Sequence, residues 1–124
     1  MGRPRTFDQT ETVRRAATSF LATGFEGTSI DDLVKSTGLH RGSLYQAFGS
    51  KRGVFVTALN QLLTDGAQSH DALDILLVAT LELGPRDDEV RSIIAEAIAT
   101  LPDPAAVLGE RLLQRAGLAE EVPR

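Results

Sequence analysis

TSIDDLVKSTGLHRGSLYQAFGSK, residues 28–51, predicts two short helices joined by a tight turn. Ile30, Leu33 and Val34 recur at the three-to-four spacing that gives a helix one apolar face. Thr28 or Ser29 caps that helix, and Asp31 and Asp32 follow in its first turn, where the helix dipole favours negative charge. Gly38 stops it, since glycine takes the left-handed C-cap conformation at no steric cost. His40 opens a second helix, Arg41 to about Phe48. Its Leu44 and Phe48 point inward, with Arg41, Ser43, Tyr45 and Gln46 on the outer side. Two helices this short do not hold alone in water, so they must pack on something larger. A helix, a glycine turn and a helix bearing long polar side chains form the helix-turn-helix pattern.

The flanking sequence supplies that larger body. Met1–Phe7 is a basic arm, kept out of helix by Pro4. Asp8 caps a helix to about Thr23, with Val13, Ala16, Ala17, Phe20 and Leu21 on its apolar stripe, and Phe25 plugs the core behind it. After Gly49, Ser50 caps a fourth helix to about Asp65, with Val54, Phe55, Ala58, Leu59, Leu62 and Leu63 inward. Gly66–Ser69 reads as a boundary by its small, polar composition. Beyond it, His70–Leu83 is apolar nearly all round, which predicts burial on several sides or an interface between chains. Asp87, Asp88 and Glu89 start a helix carrying Val90, Ile93, Ile94, Ala97, Ile98 and Leu101. Pro102 and Pro104 precede a last helix, around residues 105–116, with Val107, Leu108, Leu112 and Leu113 expected inward. No strand candidate survives, so the fold class is all-α. Residues 1–66 form a helix-turn-helix domain with its connecting helix, and residues 67–124 a short helical dimerisation or ligand lobe. Leu73–Leu83 and Val90–Leu101 are expected to supply the dimer contact.

The net charge of −4 conceals an asymmetry. Residues 1–55 hold eight Lys/Arg against five acids, and residues 56–124 hold five Arg against twelve acids. A cationic half joined to an anionic half suits a nucleic-acid reader with a separate second task. The chain has no cysteine, so disulfide and thiolate chemistry are out and a reducing cytoplasm fits. No signal-peptide run and no stretch near the ~18 apolar residues of a membrane span is present, so no membrane partner is expected.

DNA recognition needs cations and donors for phosphate plus a few side chains that reach base edges. Arg41 suits guanine O6/N7 and Gln46 suits adenine N6/N7 in the major groove. Tyr45 offers a hydroxyl to phosphate, and Gly42 leaves room for close backbone approach. Thr28 and Ser29 lie where a helix N-terminus presents free N–H groups to an anion. Lys51 adds an ammonium to the same strand, His40 weakly caps its helix or reaches a phosphate, and Arg3 and Arg5 can enter a minor groove as basic arms do. His40 and His70 without cysteine make no metal-ligand set, and no cofactor is expected. Ser43 has no histidine at a spacing that suggests a base, so no catalytic residue is assigned and the chain is read as a non-enzyme.

Residues 2–8 (GRPRTFD) and 20–55 (FLATGFEGTSIDDLVKSTGLHRGSLYQAFGSKRGVF), and more weakly 76–90 (LLVATLELGPRDDEV), resemble the tetracycline-repressor (TetR) family of bacterial transcription regulators. The resemblance places Thr28, Ser29, Arg41, Gly42, Ser43, Tyr45, Gln46 and Lys51 on family DNA-contact positions. It implies a homodimer that binds a palindromic double-stranded operator, most often as a repressor, and lets go when a small-molecule effector occupies the C-terminal lobe. His40 departs from the usual serine or threonine at the recognition-helix cap. The lobe after Gly66 is expected to be shorter than in relatives, and a few hundred Å3 of ligand cavity is hard to enclose in so short a segment. That shortness motivates an alternative: an interaction protein that dimerises with a full-length relative and antagonises it.

Overall fold

The computed structural model describes residues 8–119. Among the described residues all regular structure is helical: α1 (Gln9–Thr23), α2 (Ile30–Thr37), α3 (Arg41–Phe48), α4 (Lys51–Asp65), α5 (His70–Glu82), a 3-10 turn at Gly84–Arg86, α6 (Asp88–Ile98) and α7 (Pro104–Arg115). Two compact units result, Met1–Gln61 and Leu62–Arg124; the division falls inside α4, ahead of the Gly66–Ser69 turn. No described helix is long and apolar enough to cross a membrane.

In the first unit the helix ends are fixed locally. Asp8 caps α1 by accepting from the Thr10 and Glu11 amides. Ser29, not Thr28, caps α2: its hydroxyl accepts from Asp32 N, and the Asp32 carboxylate accepts from Ser29 N, a closed capping box. An N-cap of this kind stabilises a helix by about 1 kcal/mol. Gly38 ends α2 in the left-handed region at φ 79°. The helices α2 and α3 have eight residues each, fewer than the roughly 12–15 at which an isolated helix becomes stable. Packing makes up the difference. Val13, Ala16, Ala17 and Phe20 of α1 meet Phe25, Leu33, Leu44, Val54, Phe55, Ala58 and Leu59, all buried. At the centre Phe55 stands edge-on to both Phe20 and Phe25, ring centroids 5.1 and 5.3 Å away. Such aromatic pairs add roughly 0.5–1.5 kcal/mol each beyond their buried area.

In the second unit α5 is central and packs against α6, α7 and the 3-10 turn. Ala72, Leu73, Ile75, Leu76 and Ala79 are buried within the unit, while Leu77 and Val78 are half-buried and Leu81 stands 68% exposed. Burial also takes in an acid. Asp74 accepts from Arg111 Nε and Nη2 at 2.7 and 3.2 Å and pairs with Arg115 Nη1 at 2.9 Å. The expectation that Leu112 and Leu113 face inward is overturned, for they are 45% and 44% exposed. Arg111 and Arg115, four apart on one face of α7, turn that face toward Asp74 on α5. At about 100° per residue the two leucines between them are carried away from it.

Candidate nucleic-acid interface

The turn and α3 are mounted from behind. Leu44 is the buried anchor of α3, Phe48 is half-buried, and α3 packs on α2. At its C-terminal end α4 crosses very close: a Cβ on Gly53 would lie 1.9 Å from Phe48 O. The first turn of α4 also reaches the loop before α2, where Lys51 Nζ donates to Phe25 O and Thr28 O at 2.9 and 3.1 Å and lies 4.3 Å from the Phe25 ring centroid. So the short helices are clasped at both ends by the element that follows them.

This mounting leaves one face of α3 outward. Arg41, Gly42, Tyr45 and Gln46 are exposed there and Ser43 is half-buried. A Cβ on Gly42 would meet nothing within 4 Å. Among the described residues the side chains of Tyr45, Gln46 and Ser43 make no hydrogen bond, so their donors and acceptors are available to a partner. Arg41 is engaged instead with a residue not singled out from sequence: its Nη2 donates to Asp31 Oδ1 on α2. Only the turn brings these two side chains together, and the spacing of residues 31 and 41 carries no helical signal for it.

Four expectations need correcting or bounding. The Thr28 side chain is fully buried, its hydroxyl donating to Gly24 O at 2.6 Å or shared with Thr23 Oγ1 at 2.7 Å, so that hydroxyl faces the core and not the surface. Lys51 is spent largely on carbonyls of its own chain, because those carbonyls precede α2 and have no helical partners. His40 occupies the N-cap position of α3 but makes no side-chain cap, its imidazole standing exposed. Arg3 and Arg5 lie outside the described residues. Ser29 keeps its place at the α2 N-terminus, with its hydroxyl already accepting from Asp32 N.

The capping box also perturbs the acidity of Asp32. The Ser29 backbone N–H and then the Ser29 hydroxyl hold its carboxyl below the usual carboxylate range; desolvation works the other way, and the charge of Lys35 adds the smallest lowering. Asp32 also borders an open cleft of about 350 Å3 between α1 and α2, lined by Ser19, Ala22, Thr23, Lys35 and Ser36. Its open mouth is unlike the enclosed sites that bury most of a small ligand's surface. Around His70, Nδ1 lies 3.1 Å from Arg111 Nη1, with Gln114 Oε1 on the same guanidinium. Together with the ion pairs of Asp74 to Arg111 and Arg115, these contacts tie α5 to α7.

Residues 13–58 match the model for bacterial regulatory proteins of the tetR family. The chain is 33% identical over 105 residues to YezE of Bacillus subtilis (strain 168), described as an uncharacterized HTH-type transcriptional regulator, covering 84% of this chain and 50% of that protein. It is 37% identical over 71 residues to the HTH-type transcriptional repressor ComR of Escherichia coli (strain K12), covering 57% of this chain and 34% of that one. The chain thus spans half the length of the first of these relatives and about a third of the second. Among solved structures it superposes on a cysteine-substituted CifR, a TetR family transcriptional regulator complexed with 26 base pairs of double-strand operator DNA, with TM-score 0.59 and 23% identity over 98% of this chain and 79% of that one. PfmR from Thermus thermophilus gives TM-score 0.53 at 22% identity, over 96% of this chain and 77% of that one. At these identities the structural likeness speaks for the fold.

Proposed function

Because this chain belongs to the TetR family of bacterial regulatory proteins, we propose that it is a DNA-binding transcriptional repressor acting on a palindromic operator as a homodimer. The observation that carries this reading is the outer face of α3. Arg41, Gly42, Tyr45 and Gln46 stand exposed on a helix whose inner side is anchored by Leu44 and whose neighbours are clasped by Lys51. A rigid helix with an exposed cationic and amide-bearing face is what a major groove accepts. Arg41 and Gln46 read bases, Tyr45 and Ser43 hold phosphate, and the Gly42 backbone approaches the duplex. Residues 1–66 carry this task and residues 67–124 the pairing of subunits, with release by a small molecule as the regulatory step.

Selection of bound sequences from random duplex DNA, with solution mass measured alongside, tests the proposal. The expected result is an enriched palindrome whose half-sites lie about 34 Å apart, bound by a species of two chains. Enrichment of no sequence at low salt would refute it, and binding to a full-length relative under the same conditions would favour the antagonist reading.

A further inference from the structure

The Arg41–Asp31 ion pair joins the first turn of α3 to the first turn of α2. Among the described residues it is the only hydrogen bond that either side chain makes. The two side chains remain 54% and 70% exposed. An exposed pair is weak in water, so Asp31 biases the guanidinium toward one place without locking it. One contact also uses only one of the five guanidinium N–H donors, which leaves enough for a two-point contact with a base.

A lone arginine at a duplex surface has an easy alternative to a base. It can take a phosphate, gaining counterion release and reading nothing. A carboxylate against that guanidinium changes the choice. Phosphate oxygens brought to the same place are repelled by Asp31, whereas the guanine O6/N7 edge offers two acceptors without a formal charge. Resting on the DNA-reading function above, we propose that Asp31 is a specificity-determining residue that positions Arg41 and denies it phosphate, so that Arg41 is spent on a guanine. Discrimination here comes from a repulsive element as much as from an attractive one.

The test compares the 124-residue protein with Asp31→Asn, Arg41→Ala and the double variant, each by sequence selection and by titration against selected and scrambled duplexes over a range of salt. The wild type enriches a guanine at one position of each half-site, and Arg41→Ala abolishes that preference. Asp31→Asn still binds, but its preference for the guanine falls about tenfold, within the range that one bidentate contact supplies. Its affinity for scrambled duplex rises, and the salt slope steepens by about 0.9 as Arg41 moves to phosphate. In the Arg41→Ala background Asp31→Asn leaves base preference unchanged. Asp31→Glu, which keeps the charge, retains most of the discrimination. Asp31 lies outside the Ser29–Asp32 capping box, and thermal melts confirm that each variant is folded. Undiminished guanine preference in Asp31→Asn, or an operator whose selection Arg41→Ala leaves untouched, overturns the role of Asp31 alone. Failure of the wild type to enrich any sequence overturns the DNA-reading function and Asp31's role with it.

Discussion

Gly42 separates folding from recognition at a single position. Because a Cβ there meets only open space, Gly42→Ala should hold or raise thermal stability, by up to roughly 0.5–1 kcal/mol from helix propensity. It should nevertheless weaken operator binding, since the added methyl stands where the backbone approaches the duplex. Melting curves and fluorescence anisotropy on the selected operator measure the two effects, and an unaltered affinity would remove Gly42 from the interface. Asp32 gives the second residue-scale prediction. Its carboxyl is depressed in the folded state by the Ser29 amide and hydroxyl, so its contribution to stability is complete above the usual carboxylate range. That contribution is lost as pH falls through the lower, native value. Acid titration followed by circular dichroism should therefore show Asp32→Asn less stable than wild type at neutral pH, with the gap closing in acid. Ser29 and Asp32 were legible as a cap and an acid beside it because capping is local, three residues apart on one turn. The burial of Thr28 was not legible, because it depends on where α1 runs.

At the scale of elements, two contacts hold the architecture where sequence periodicity shows nothing. Gly53 lets the first turn of α4 lie against the last turn of α3, and Gly53→Ala must push a methyl toward the Phe48 carbonyl. Overpacking of this kind costs about 1–3 kcal/mol. The expected outcome is a lowered melting temperature together with weaker DNA binding, because α3 is displaced from its mount. Asp74 is the second. Asp74→Ala removes the carboxylate that Arg111 and Arg115 share, the Arg111 side chain being 18% exposed, and should destabilise the second unit by roughly 2–3 kcal/mol, less than for a wholly buried pair because the arginines retain some water. Limited proteolysis should then cut within α7, whose other side chains are at most half-buried. The presence of this tie could have been suspected from sequence: an aspartate inside an apolar helix must find a cation if it is buried. Which cation it finds was beyond sequence, since Arg111 lies 37 residues away.

At the scale of the whole molecule, the proposed dimer has a surface to be tested. Much of the apolar run of α5, which reads from sequence as a contact between chains, is absorbed by packing within its unit, but Leu81 on α5 is left 68% exposed. The large apolar side chains left exposed include Leu112 and Leu113 on α7, and Leu118 just beyond it, which is 75% exposed. If pairing uses α7, Leu112→Glu with Leu113→Glu should yield a monomer by sedimentation at micromolar concentration. Affinity for a full palindrome should drop to that for a half-site, with the melting temperature of the chain little changed. A double variant that stays dimeric would move the interface elsewhere.

The helices, the caps at Asp8 and at the Thr28–Ser29 pair, the turn at Gly38 and the outward set on α3 followed from sequence alone, because each rests on spacings of two to four residues and on the steric and capping preferences of single residue types. What those residues meet was settled by the tertiary structure. Thr28 turned inward, Lys51 closed on the carbonyls before α2, Arg41 came to Asp31, and two arginines of α7 took the face that its leucines were expected to fill. The physical reason is common to all four. A side chain's partner across a turn or between helices is fixed by the angle at which elements pack, and that angle is set by the whole core at once rather than by any local run of residues.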